Sequence, residues 1–254
     1  MDKIGLYSFT GCAGELLTIL HSEDELLDFF GCAEVKFFLM AQSNNEEVNL
    51  DIALVEGSIT TDEQTEKLRG LRARSKTLVA MGICACFGGI QAMRRGDGGW
   101  EKRFKKVYGE ALLEVGKPFE SQPLDALVKV DHYIPGCPMD KGQFFSALTR
   151  LLNGNPPSLY KFPVCNECKW RGNECLLLKN IPCLGPLTAG GCNAICPSYN
   201  LPCVGCWGPV EEANVASEYQ LLQEKGFSGD VVTRRMKTFG GVRMAQLIKD
   251  MKKV

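Results

Sequence analysis

Two rhythms of apolar residues alternate along the first 150 positions. Residues 3–9 (KIGLYSF), 35–40 (VKFFLM), 51–55 (DIALV), 77–83 (TLVAMGI) and 128–134 (VKVDHYI) are short apolar runs, the pattern of buried strands. Between them the spacing turns helical. A helix is predicted over 15–30, with Leu16, Ile19, Leu20, Leu26, Leu27 and Phe30 as its apolar set; a polar helix covers 61–74 and another 140–152. Strands alternating with helices predict an α/β fold, a doubly wound parallel sheet. Residues 91–125, rich in Gly and Lys/Arg with helical fragments, read as a surface insertion. The tail reads as two charged helices, 210–225 and about 238–252, whose Phe239, Val242, Leu247 and Met251 are candidates for docking on a partner.

The strand ends carry the first candidate chemistry. Cys12, Glu56, Cys84 and Cys137 each fall just past the carboxyl end of a predicted strand, where open parallel sheets bind their ligands. Three thiols and adjoining glycines on sequence-distant loops predict a metal cluster at that edge. A fourth ligand has three candidates. Glu15 follows Cys12 at x-x spacing, and a carboxylate is a sound if harder iron ligand. Cys86 lies two residues from Cys84, on the same side of an extended segment. Glu56 comes from the neighbouring loop. Glu15 is the favoured reading. Cys32 has no partner thiol nearby and is expected to be buried and inert, while His21 and His132 lack ligand spacing.

A denser constellation runs from Cys165 to Cys206. It holds eight of the thirteen cysteines, at 165, 168, 175, 183, 192, 196, 203 and 206, among Gly, Pro and Asn. The stretch has few large apolar residues, so burial alone would not hold it folded. Disulfides suit secreted chains, and here the cysteine total is odd. Zinc prefers paired CxxC knuckles. Uneven spacing, with prolines after Cys196 and before Cys183 and Cys203, fits two cubane iron–sulfur clusters better, since thiolates reach a wide cluster from several directions.

Composition narrows the rest. The chain has 254 residues, 45% hydrophobic and 23% charged, with a formal net charge of −1. That balance gives no footprint for nucleic acid. No apolar run is long enough for a membrane helix, and the opening MDKIGLYSF reads as a strand rather than an export signal, so cytoplasm is the expected location. No nucleotide fingerprint or Ser-His-Asp arrangement is present.

With these residues laid out, the chain resembles the small subunit of nickel–iron hydrogenases, above all the cytoplasmic sulfhydrogenase delta and methyl-viologen-reducing groups. The resemblance rests on TGCAG at 10–14, DIALVEGSI at 51–59, MGICACFGG at 81–89, IPGCP at 134–138 and CLGPLTAGGCNAICPSYNLPCVGC at 183–206. It implies a flavodoxin-like domain over 1–155 with a proximal cluster, and a Cys-rich domain over 156–254 with medial and distal clusters and a helical tail. By motif, Cys12, Cys84 and Cys137 match proximal ligands; Cys165, Cys168, Cys175 and Cys183 the distal set; Cys192, Cys196, Cys203 and Cys206 the medial set. Cys196 stands where some members have proline and a three-iron medial cluster, so three 4Fe–4S clusters are expected. The usual proximal CxxC is here Cys12-x-x-Glu15. The implied role is electron transfer, with no bond chemistry on this chain, between a nickel–iron large subunit and a further flavin or iron–sulfur subunit at the distal end. Alternatives are the same wire in a non-hydrogenase complex, for example one linked to heterodisulfide reductase, and a zinc-stapled scaffold.

Overall fold

A computed structural model describes residues 1–109 and 118–253. The chain runs through β1 (Asp2–Ser8), α1 (Gly14–Leu20), α2 (Glu23–Cys32), β2 (Ala33–Phe38), β3 (Leu50–Glu56), β4 (Ile59–Thr61), α3 (Asp62–Ala73), β5 (Ser75–Met81) and α4 (Gly82–Phe87). It continues through α5 (Trp100–Tyr108), β6 (Pro118–Gln122), β7 (His132–Ile134) and α6 (Lys141–Leu152). The Cys-rich part holds α7 (Val164–Trp170) and α8 (Ile195–Ser198), and α9 (Val215–Glu224) and α10 (Gly229–Met251) follow.

Side chains alternate across a strand, so each strand feeds two layers. On one face Ile4, Leu6, Ile52, Leu54, Val79 and Met81 pack against Leu16, Ile19, Phe29, Phe144 and Leu148 of α1, α2 and α6. On the other Ala53, Val55, Leu78 and Ala80 meet Leu68 and Leu71 of α3 and Ala85 of α4. Among the described residues, five parallel strands stand in the order β2-β1-β3-β5-β7. Counted within the sheet this is 2-1-3-4-5, the flavodoxin-like order. Helix entries are capped where the sequence supplies an oxygen: Thr61 Oγ1 accepts the Gln64 N–H at 3.2 Å and Asp140 Oδ1 the Gln143 N–H at 2.9 Å.

Several sequence expectations change. The helix over 15–30 is two helices. Ser22, fully buried, turns its hydroxyl back to the Thr18 carbonyl at 2.8 Å, and its N–H goes to Ile19, which ends α1. The break rotates the second half, leaving Leu27 77% exposed and putting Phe29 rather than Phe30 in the core. Strand 77–83 stops at Met81, because Gly82 already begins a helix. The insertion over 91–125 contributes a strand: β6 pairs antiparallel with β4, Ile59 opposite Gln122. Residues 110–117 of it lie outside the described residues. Cys32 is exposed rather than buried, since it ends α2 at the surface.

The tail docks on its own chain. Val232, Met236, Met244 and Ile248 of α10 pack with Val215 and Leu222 of α9 and with Leu184 and Leu187, and Leu247 and Met251 join them. α9 starts at Val215 instead of 210 because Asn214 Oδ1 caps it, accepting the Ser217 N–H at 3.0 Å. Among the described residues no helix is long and apolar enough to cross a membrane.

Candidate metal centres

The strand register draws the first site. Ser8 pairs with Glu56, Glu56 with Met81 and Met81 with Ile134, so four strands end on one line. Cys12, Cys84 and Cys137 follow that line, and Glu56 stands on it. Hydrogen bonds tie the loops together. Thr10 and Ser58 exchange backbone bonds at 3.0 and 2.8 Å, Gln91 Nε2 donates to the Thr10 carbonyl at 3.2 Å, and the Ile83 N–H donates to Gly136 at 2.8 Å. Gly89 makes room here: a Cβ would stand 2.5 Å from Cys84 Sγ.

The three thiols feel one another. Burial, then the charges of Glu15, Cys137 and Cys12, pushes Cys84 up to about 12 against a pull from Gln91. Cys137 is pushed to about 11 by burial and then by Glu15 and Cys12. Glu15 is 4% exposed and its carboxyl is raised to about 8, by burial first and then by Glu56. Glu56 is 1% exposed; Ser8 Oγ donates to Oε1 at 2.5 Å, and Oε2 has no donor in the structure. Burial first, and the neighbouring Glu56 second, favour the neutral form of the Glu15 carboxyl. Gly82, at φ +75°, gives Glu15 its place, since any Cβ there would overlap the carboxyl group.

Cys86 is elsewhere. On α4, two residues carry a side chain to nearly the opposite face, so the extended-segment expectation fails. Cys86 is 1% exposed among apolar side chains, its thiol 3.5 Å from the Ala80 carbonyl. His21 is exposed and stands outside the site.

The eight later thiols lie along the Cys-rich segment. α7 presents Cys165 and Cys168 one turn apart. Burial and the charges of Cys183, Cys168 and Cys175 push Cys165 up to about 12. A Cβ at Gly185 would stand 3.1 Å from Cys165 Sγ and 3.6 Å from Cys183 Sγ, so glycine lets both sulfurs close over this turn. Asn173 Nδ2 lies 3.7 Å from Cys168 Sγ. Cys206, raised to about 12 by burial, feels Cys203, Cys192 and Cys196 in turn. Cys203 is likewise held at about 12 by burial, against its contact with Thr188 Oγ1 at 3.4 Å.

Two contacts link these segments. Cys206 also feels Cys137 of the strand-end site. The Cys203 N–H donates to Cys183 Sγ at 3.3 Å, across to the α7 group.

This donor chemistry fits polynuclear metal. Burial, more than any neighbour, raises these thiols, and a bound cation would offset the cost of ionising them. Among the described residues no three His, Cys, Asp or Glu side chains are grouped so as to hold a single metal ion.

Comparison with known proteins agrees. The family model described as NADH ubiquinone oxidoreductase, 20 Kd subunit, matches residues 10–151. The delta subunit of sulfhydrogenase 2 from Pyrococcus furiosus is 40% identical over 238 residues, 93% of this chain and 98% of that protein. The chain belongs to the hydrogenase small-subunit family. Another relative, a subunit of the F420-non-reducing vhu hydrogenase of Methanocaldococcus jannaschii, is 30% identical, with 83% of each chain covered. An NAD+-reducing NiFe-hydrogenase structure in the H2-reduced state matches at 28% identity and TM-score 0.54, over 62% of this chain and 94% of that one. The actinobacterial-type NiFe-hydrogenase of Ralstonia eutropha H16 shares the fold at TM-score 0.61 and 18% identity, over 99% of this small subunit and 90% of that chain.

Sequence reasoning missed the supporting shell: Ser8, Gly82, Gln91, Asn173 and Thr188. Of these only Gly82, in the MGICAC run beside a strand end, carried a signal.

Proposed function

We propose that this chain is the electron-transferring subunit of a hydrogenase complex and holds three iron–sulfur clusters in line. The observation that carries this reading is that Cys12, Cys84 and Cys137 follow one line of strand ends while eight more thiols gather in the Cys-rich segment, where the Cys203 N–H donates to Cys183 Sγ at 3.3 Å. Cys12, Cys84 and Cys137 would hold the proximal cluster, Cys192, Cys196, Cys203 and Cys206 the medial, and Cys165, Cys168, Cys175 and Cys183 the distal. Clusters held by these thiols would supply one-electron transfer. The residues supply anionic thiolates, a dry surrounding and N–H donors to sulfur, the levers that set cluster potential.

Glu15 is the fourth proximal donor in this reading. Metal binding at this edge would favour the ionised Glu15 carboxylate beside Cys84 and Cys137, as it does for thiols. Exposed Cys12 marks the proximal edge as the face for a large subunit, and exposed Cys175 the distal edge as the face for a further redox subunit. The location that goes with this role is the cytoplasm.

Metal and acid-labile sulfide analysis of the anaerobically purified complex tests it. About twelve irons per chain, four per cubane, with nickel in a co-purifying subunit is the expected result. A colourless, zinc-loaded chain without labile sulfide sinks it. A second reading, the same wire in a nickel-free oxidoreductase, is favoured by the match to the NADH ubiquinone oxidoreductase family over 10–151; twelve irons without nickel would select it.

A further inference from the structure

Glu167 lies on α7 between two distal-site cysteines, yet its side chain serves the medial site. It is 8% exposed. Oε1 accepts the Gly191 N–H at 2.8 Å and Oε2 the Ala194 N–H at 3.3 Å, with Cys192 Sγ 4.0 Å from Oε2. These contacts bracket Cys192. The loop they hold is unusual: Gly191 has φ 122°, Asn193 φ 56° and Ala194 φ 48°. Left-handed backbone at consecutive non-glycine residues costs energy and persists only where the surroundings enforce it. Such a run turns its N–H groups inward into a concavity for an anion, and here the anion is a side chain of the same protein.

We propose that Glu167 is the positioning residue of the medial site, holding Cys192 in its ligating place and setting a negative charge beside that cluster. This rests on the cluster assignment above. The carboxylate joins the helix of Cys165 and Cys168 to the loop of Cys192, so it also fixes one site against the next. Asn173, 3.0 Å from Ser198 Oγ, makes a second, uncharged bridge between the same two regions. A charge that favours the oxidised cluster lowers its potential, and removing the charge raises it.

The test uses the purified complex, its irons counted and its clusters followed by electron paramagnetic resonance in a redox titration. Glu167→Gln keeps the shape and an acceptor oxygen, so all three signals remain while the medial midpoint moves upward relative to the other two. Glu167→Ala loses the medial signal and about four irons per chain, the content of one cubane, with the proximal signal intact. An unmoved medial midpoint in Glu167→Gln, or a complete medial cluster at its original potential in Glu167→Ala, overturns the proposal. Joint loss of medial and distal signals in Glu167→Ala also overturns it, assigning the residue to the folding of α7. A wild-type complex without a medial cluster would instead remove the cluster assignment, and the proposal with it.

Discussion

Gly82→Ala tests whether the place of Glu15 is built into the proximal site. Gly82 stands at φ +75°, and a Cβ there would lie 2.7 Å from Glu15 Cγ and closer still to its carboxyl group. Two separable costs follow. Left-handed backbone with a side chain costs about 1–2 kcal/mol. Forcing a methyl group into a filled space costs about 1–3 kcal/mol more. Together they come to about 2–5 kcal/mol, a fall in Tm of roughly 4–20 °C for a chain this size. Glu15→Ala should remove the second cost and leave the first, because the obstructing carboxyl is gone. A double-mutant cycle should therefore show a coupling of about 1–3 kcal/mol, Glu15→Ala partly rescuing Gly82→Ala. The four proteins are compared by thermal unfolding at one scan rate, with the proximal cluster's spectrum recorded alongside. Strict additivity would refute the argument: Glu15 would then not occupy that space.

Other residues give sharper pH signatures. Burial holds the Glu218 carboxyl up at about 7 against an ordinary 4.5, so the fold bears no penalty below 4.5, loses stability as pH rises through that window, and bears about 3 kcal/mol at pH 8. Glu218→Met should recover most of this at pH 8 and little at pH 5 in thermal unfolding; equal gains at both would count against it. Burial alone would raise Asp131, but the Leu78 N–H, Arg72 and Lys129 outweigh it and hold the carboxyl below 3.8. Its stabilisation is present above that value and lost as pH falls through the folded pKa, so Asp131→Ala should cost about 1.5–3 kcal/mol at pH 7. The cost should shrink at pH 3, and an undiminished loss there would contradict the ion-pair origin. Cys12→Ser should impair the proximal signal while the other two clusters persist; loss of all three signals would mean that the sites are not independent.

The parallel sheet was legible because its strands are apolar runs ending at Gly, Cys or Glu, and a doubly wound topology then brings those ends together. Cys12, Glu56, Cys84 and Cys137 could be placed at one edge from that rule. What stayed hidden was decided by rotation about a helix or by a single side-chain bond. Cys86 looked like a ligand only while residues 84–86 were read as extended; a helix starting at Gly82 turns it into the core. The break at Ser22 depends on one hydroxyl reaching Thr18, a contact the apolar spacing does not encode. β4 is three residues long and its partner β6 lies 57 residues after it, past a Gly-rich stretch, so neither has a periodicity of its own.

The helical tail is the clearest case of a role hidden by its composition. The Cys-rich segment has a small core of Val164, Leu176, Ala194 and the thiols Cys183 and Cys203. It gains more by sending Leu184 and Leu187, from the turn between Cys183 and Cys192, into the groove of α9 and α10. Burying each such side chain is worth about 1.5–3 kcal/mol, which is substantial for loops with no sheet to anchor them. α10 also reaches the first site. At Gly241, with φ 46° and ψ −128°, it bends so closely over the Phe87 carbonyl that no Cβ would fit. Phe87 ends the helix that carries Cys84. One bent helix thus touches both the helix that carries Cys84 and the turn between Cys183 and Cys192. Charged residues on its outer face make it look like a solvated appendage, but its inner face ties the Cys-rich segment to the helix after β5.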